Sequence, residues 1–359
     1  MSGAPVPIVR QRWALLAVCV ASMTWAGCGP VVGPREPAGS AAFAAASGVF
    51  IRSNGGATRN VVLDVCAPQF GISGLALAPG GTILAFTCSV ADSMGYRTVL
   101  HLLDVPTGTT NRIADDVAGG PGRLAWSPQG RYLAYQVATN LGPAPVAASA
   151  LWVYDVVAGQ RTQIDKARYF STYLTWDPDG SAVIYTVGSW QYSTQPVWTY
   201  RAPLDGSGGT AWAENVQAVA PGPKGEWLGV REPPQRPGGG QAILVGADGK
   251  SRPLTAGDTV ELPVGWLGTE PVVWRPSAVS DPTAERRGDI WVAGATPRCL
   301  LVDVPELSAY TGKMAVVEGR LLYVDEARNG SVALVSLASG KTIHLADQGR
   351  TPVSLALGN

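Results

Sequence analysis

The residue types that carry most protein chemistry are sparse in this chain, and their spacing does not gather them. Its two histidines, His101 and His344, belong to no HExxH, CxxC or other ligand-spaced group, so the sequence implies no metal and no cofactor. Each reads as a strand residue with an ordinary hydrogen-bond partner. Asp177 and Asp179 could be paired carboxylates, but they flank Pro178 just before Gly180, where Asp is favoured by local hydrogen bonding in a turn. No GxSxG elbow presents a serine nucleophile, and no SxDxGxxW box occurs. Five cysteines remain, and they divide between an N-terminal leader and the body.

The leader comes first in the chain. Arg10 and Arg12 precede an apolar run from Trp13 to Trp25, and the small residues Ala26 and Gly27 stand before Cys28. This is the layout of a secretory signal, and the run is short against the roughly 20 residues of a spanning helix. Trp25, Ala26, Gly27 and Cys28 resemble the lipobox of bacterial lipoproteins, which implies a signal peptide over 1–27 and a lipid on Cys28. Residues 28–47 are rich in Gly, Pro, Ala and Ser and read as a flexible tether. A body over 48–359 follows. With 46% hydrophobic residues it buries a sizeable core, and 27 basic against 27 acidic residues give no field for nucleic acid.

The elements that would position any site are read from a repeat. LALAPGGTILAFT (75–87), LAWSPQGRYLAYQ (124–136), LTWDPDGSAVIYT (174–186) and VAPGPKGEWLGVR (219–231) align without gaps, with Pro79, Pro128, Pro178 and Pro223 spaced by 49, 50 and 45. Gly follows each Pro by two residues, which makes each site a tight hairpin turn between two strands. VGWLGTEPVVWR (264–275) and MAVVEGRLLYVDE (314–326) continue the period without the Pro. A third strand and a short fourth follow each hairpin, as in LWVYDVVAG. Four antiparallel strands in a repeat of about 40–50 residues make one blade of a β-propeller. The fold class is therefore all-β.

WDPDGSAVIY and WSPQGRYLAY resemble the WSPDGxxLAF repeat of TolB-type, WD-like propellers, a likeness that covers almost everything from residue 48 onward. The resemblance implies a fold rather than a function, because that family serves many roles. Complete units start near residues 71, 119, 169, 215, 257 and 308. What remains at the two ends reads as one further blade: residues 48–65 resemble a third and fourth strand, and 351–359 a first strand. Seven blades, the last composite and incomplete, are preferred to six.

In such a ring the Pro-Gly hairpins occupy one face and the connections between second and third strands the other. The hairpins are short and uniform. The connections are long and dissimilar, from SVADSMGYR and VATNLGPAPVAAS to PSAVSDPTAERRGD, which marks that side as the binding face. Trp190 and Tyr192 stand in one of them as candidate contact residues. Cys66 ends the composite blade and Cys88 ends the second strand of the next, so the two are either a disulfide or buried free thiols. Channel-facing positions read as apolar or small, which speaks against an enzyme. The resulting expectation is a monomeric, lipid-anchored extracytoplasmic module that binds an envelope protein or a glycan. The alternative is a lyase or hydrolase acting on polysaccharide or peptidoglycan in the central funnel.

Overall fold

The proline-glycine pairs fold as the turns their chemistry requires. In a computed structural model of the chain, Gly81, Gly130, Gly180 and Gly225 take φ of +70°, +70°, +72° and +72°, a conformation open to a residue without Cβ. The Gly81, Gly130 and Gly180 amides donate to the carbonyls of Ala78, Ser127 and Asp177 at 2.9, 2.8 and 2.8 Å. Asp179 accepts the Ser181 amide at 2.9 Å and Asp177 is held by Arg201. Both carboxylates thus serve the turn and its strands. Described are residues 40–357 except 46–47, 53–55, 62–63, 67–70, 94, 119–122, 139–148, 169, 188–196, 232–239, 256–259, 278–286, 295, 307–313, 318, 326–330 and 347–353.

Among these residues there is no helix, and the strands form seven four-stranded antiparallel sheets. The chain opens with β1 (Ala41–Ala45), β2 (Gly48–Arg52) and β3 (Thr58–Val61). Blade 1 is β4 (Ile72–Leu77), β5 (Ile83–Asp92), β6 (Gly95–Asp104) and β7 (Thr110–Ala114). Blade 2 is β8 (Leu124–Trp126), β9 (Tyr132–Ala138), β10 (Ser149–Asp155) and β11 (Gln160–Arg168). Blade 3 is β12 (Phe170–Trp176), β13 (Ala182–Val187), β14 (Trp198–Pro203) and β15 (Thr210–Glu214). Blade 4 is β16 (Gln217–Pro221), β17 (Trp227–Arg231), β18 (Gln241–Val245) and β19 (Ser251–Pro253). Blade 5 is β20 (Leu262–Leu267), β21 (Glu270–Pro276), β22 (Arg287–Val292) and β23 (Arg298–Pro305), and blade 6 is β24 (Met314–Val317), β25 (Arg320–Asp325), β26 (Ser331–Ser336) and β27 (Thr342–Ala346). The last strand, β28 (Ser354–Leu357), returns to the beginning of the chain.

First strands lie beside one another in the order β4, β8, β12, β16, β20, β24, β28 and back to β4. A closed ring of seven first strands is a seven-bladed propeller about a central axis. Closure runs through the sheet β28-β1-β2-β3, with Phe43 opposite Leu355 and Phe50 opposite Phe43.

This closing blade corrects two expectations. It is complete, and the tether expected over 28–47 ends before residue 41. Ala41–Ala45 is a strand whose Ala41, Ala42, Phe43 and Ala44 are fully buried. Ala42 and Ala44 pack with Leu75, Leu77 and Phe86 of blade 1, while Ala41 and Phe43 pack with Leu322, Val324 and Leu334 of blade 6. Methyl side chains suit a second strand squeezed between two blades, although the same alanines read as linker in isolation. Ser40, just ahead of the strand, lies against Gly81 in the blade 1 hairpin.

Blades are joined by a device that the repeat carries in its tryptophans. Trp126 Nε1 donates to Ala76 O at 2.9 Å, Trp176 to Ala125 O at 2.9 Å and Trp266 to Ala220 O at 3.2 Å. The residue separations of 50, 51 and 46 are one repeat each. In β8, β12 and β20 an indole of the first strand therefore reaches the backbone of the preceding first strand. This pairs both groups at the partly buried junction between blades.

The seam between the closing blade and blade 1 carries two further contacts. A disulfide joins Cys66 to Cys88, with Cα atoms 5.7 Å apart. The Arg59 guanidinium donates to the carbonyl of Val105. His101, on β6, is 5% exposed and stacks on Phe86 with ring centroids 5.2 Å apart. Contrary to expectation, neither His101 ring nitrogen has a hydrogen-bond partner. Phe86 in turn belongs to the apolar cluster with Ala42, Ala44 and Ile51.

Burial, aided by the nearby Arg112 charge and opposed by Asp115, lowers the His101 pKa from the usual 6.5. The folded chain then holds this proton less tightly than the unfolded chain. The associated stability is fully present above pH 6.5 and is lost as the pH falls toward the lowered value. Thermal unfolding between pH 7.5 and pH 5.5 should show a falling Tm, with a shallower fall in His101→Leu. Equal slopes in the two proteins would remove His101 as the source.

Candidate functional site

Every first strand runs in the same sense, so the starts of the first strands meet the ends of the second strands on the face opposite the Pro-Gly hairpins. At this level blades 1, 2, 4 and 5 each show a cross-strand pair beside the central axis. In blade 1 Ser73 and Thr87 share a hydroxyl hydrogen bond at 3.0 Å. In blade 2 Leu124 is opposite Tyr135, which places Arg123 opposite Gln136; Arg123 Nη1 donates to Gln136 Oε1 at 2.9 Å. In blade 4 Gln217 is opposite Val230. In blade 5 Leu262 is opposite Trp274 and Glu261 opposite Arg275, whose Nε donates to Glu261 Oε1 at 2.7 Å.

The girdle is therefore polar and partly charged, which corrects the expectation of apolar or small residues there. Arg123, Gln217 and Glu261 lie at or just before the starts of first strands, beyond the apolar alternation, where no motif marks them. Most girdle residues are covered: Thr87 and Gln136 are fully buried, Glu261 is 1% exposed and Gln217 is 2% exposed. Thr255 Oγ1 donates to the second Glu261 oxygen at 2.6 Å, and the Arg275 guanidinium lies over the Trp291 ring at 5.1 Å. Among the described residues no cluster of three or more His, Cys, Asp or Glu forms a metal site.

Blade 1 shows what one elaborated connection becomes. SVADSMGYR is strand rather than loop over nearly its whole length: β5 and β6 continue their pairing through Ser89 with Thr98, Val90 with Arg97, Ala91 with Tyr96 and Asp92 with Gly95. The result is a ribbon that rises past the end of β4. Tyr96 on it is 55% exposed, and Arg97 pairs with Asp115 at 3.6 Å. The Cys66 disulfide is attached at its base, at Cys88. Trp190 and Tyr192 lie outside the described residues, as does Cys28. Tyr200, on the strand behind them, stacks on Tyr185 at 5.6 Å within the apolar cluster of blades 2 and 3.

No protein-family model matches the chain, and no curated protein matches it by sequence. Solved structures do match it in shape. A prolyl endopeptidase superposes with a TM-score of 0.61 at 12% identity, over 88% of this chain and 49% of its own. An oligogalacturonate lyase in complex with manganese gives 0.56 at 12% identity, over 83% and 81%. TolB from Acinetobacter baumannii gives 0.49 at 14% identity, over 89% of this chain and 66% of that one. These likenesses are to β-propellers. At 12% identity what is shared with the endopeptidase and the lyase is the fold, and this chain spans about half the length of the endopeptidase.

Proposed function

We propose that the chain is a membrane-tethered, extracytoplasmic binding or scaffold module whose long-connection face holds an envelope protein or a glycan. The observation that carries the reading is the contrast between the two faces. The hairpins repeat one turn geometry, whereas blade 1 builds a ribbon with an exposed tyrosine, and the other connections differ from it and from one another in length and sequence. Unequal elaboration of equal repeats is the usual form of a binding face. Trp190 and Tyr192 are the aromatic contacts in this reading, and Cys28 carries the lipid. Two or more acyl chains give stable membrane attachment, which one chain does not.

Capture of partners from membranes by the wild-type chain and by Trp190→Ala/Tyr192→Ala tests it. The double variant should melt as wild type and bind its partner more weakly by about 2 kcal/mol or more, as truncated hot spots do. Unchanged affinity in that variant, with loss on changing Gln129 or Lys224 in the hairpins, would reverse the faces. Mass spectrometry of the membrane-extracted protein decides the anchor, since an unmodified Cys28 behind an intact N terminus contradicts it. The enzyme reading, a polysaccharide or peptidoglycan lyase or hydrolase, is favoured by one observation, the charged pair Glu261 and Arg275 in the girdle. Turnover of such a polymer that Glu261→Gln abolishes would establish it.

A further inference from the structure

The girdle contains its own internal comparison, because two blades place an arginine in the same cross-strand pair. In blade 5 the Arg275 charge is answered by Glu261, and Thr255 takes the other carboxylate oxygen. Blade 2 has the arginine without the acid. Arg123 meets Gln136, a neutral amide that is itself fully buried and accepts one N–H. A guanidinium has five N–H donors, and among the described residues no carboxylate pairs with this one. Burial pulls its pKa below the usual arginine value. Blade 4 repeats the imbalance in a neutral form, since the Gln217 Nε2 is buried with no acceptor.

A cation drawn out of water without a counter-charge weighs against folding, and a bound anion would offset that cost. The planar guanidinium, held at Nη1 by Gln136, is suited to a two-point contact with a flat carboxylate through its remaining N–H groups. With the Arg275 charge answered by Glu261 and the Arg123 charge met only by a neutral amide, the girdle suits a singly charged anion.

We propose that Arg123, oriented by Gln136 at the start of β8, is the recognition point for a carboxylate-bearing ligand entering from the long-connection face. This rests on the binding-face reading and names the chemistry of what binds there. The carboxylate can belong to a uronic-acid residue of an acidic glycan or to the C terminus of a peptide. The ligand makes its charge contact at Arg123, and Gln136 is a positioning residue.

Calorimetric titration of the full chain distinguishes these sources with four probes: a uronic-acid trisaccharide, the corresponding neutral trisaccharide, a tripeptide with a free C-terminal carboxylate and its C-terminal amide. One acid is expected to bind at least tenfold more tightly than its neutral counterpart. Arg123→Gln should erase that difference and Arg123→Lys should keep part of it. The melting temperature of Arg123→Gln should equal or exceed that of wild type, because the variant loses an unanswered charge. A structural arginine would instead lower it. The proposal falls if neither acid binds at millimolar concentration, if Arg123→Gln binds the acid as wild type does, or if Arg123→Gln melts well below wild type. If no acid binds while the Trp190/Tyr192 variant still loses its partner, the binding-face reading stands and the Arg123 proposal alone is overturned.

Discussion

Truncation after Gly349 is expected to abolish the single cooperative unfolding transition of the ring. The deletion removes β28, the first strand of the closing blade, with its ladder of Ala41 to Leu357, Ala42 to Ala356, Phe43 to Leu355 and Ala44 to Ser354. It also withdraws Leu355, 6% exposed, from the cluster with Phe43, Leu322 and Val324. One buried leucine removed from a core costs about 2–5 kcal/mol by itself. The truncation adds an unpaired edge on β1, whose Ala41, Ala42 and Ala44 are fully buried in the intact ring. The loss should therefore exceed any single apolar substitution. Calorimetric melting of the full and truncated chains measures it, and an unchanged Tm with a sharp transition would contradict closure through β28.

The second large effect is expected at Trp176. Its side chain is 2% exposed, packs with Ala134, Leu151 and Ile164 of blade 2, stacks near Tyr132 at 6.2 Å and donates to Ala125 O. Trp176→Ala opens a cavity between blades 2 and 3 and should cost about 3–5 kcal/mol. Trp176→Phe keeps most of the apolar volume but leaves the Ala125 carbonyl without its donor, for a smaller loss of about 1–3 kcal/mol. The order of these two variants in denaturant unfolding separates packing from the hydrogen bond. Equal losses would mean that the indole N–H contributes nothing.

What could be read from the sequence follows the range of the forces involved. The hairpins were legible because a Pro-x-Gly turn is decided within a few residues, and Gly180 needs only its own φ of +72°. The blade count was legible because turns recur at a fixed period, and the closing blade because its β2, β3 and β28 kept strand patterns at the chain ends. Ala41–Ala45 was not, since nothing local tells a methyl packed between two blades from a methyl in a linker. The Trp126, Trp176 and Trp266 bonds join residues one repeat apart, and the motif shows only their first half. The girdle was misread for a related reason. Arg123 and Glu261 stand just before the strands begin, so the alternation that predicts strand faces does not extend to them. His101 looked ordinary because its sequence neighbours do not show that it is buried against Phe86 with neither ring nitrogen partnered.

The direction of β1 fixes how the ring would sit above a bilayer. β28 runs like the other first strands, from the long-connection face to the hairpin face, and β1 is antiparallel to it, so the chain enters the ring from the hairpin side, where Ser40 lies against Gly81. With Cys28 acylated as proposed, the stretch from Cys28 to Ser40 reaches at most about 40 Å when fully extended. The uniform turns would then be turned down toward the lipid headgroups. Arg123, Tyr96 and the connection holding Trp190 would be presented outward, toward whatever the compartment supplies.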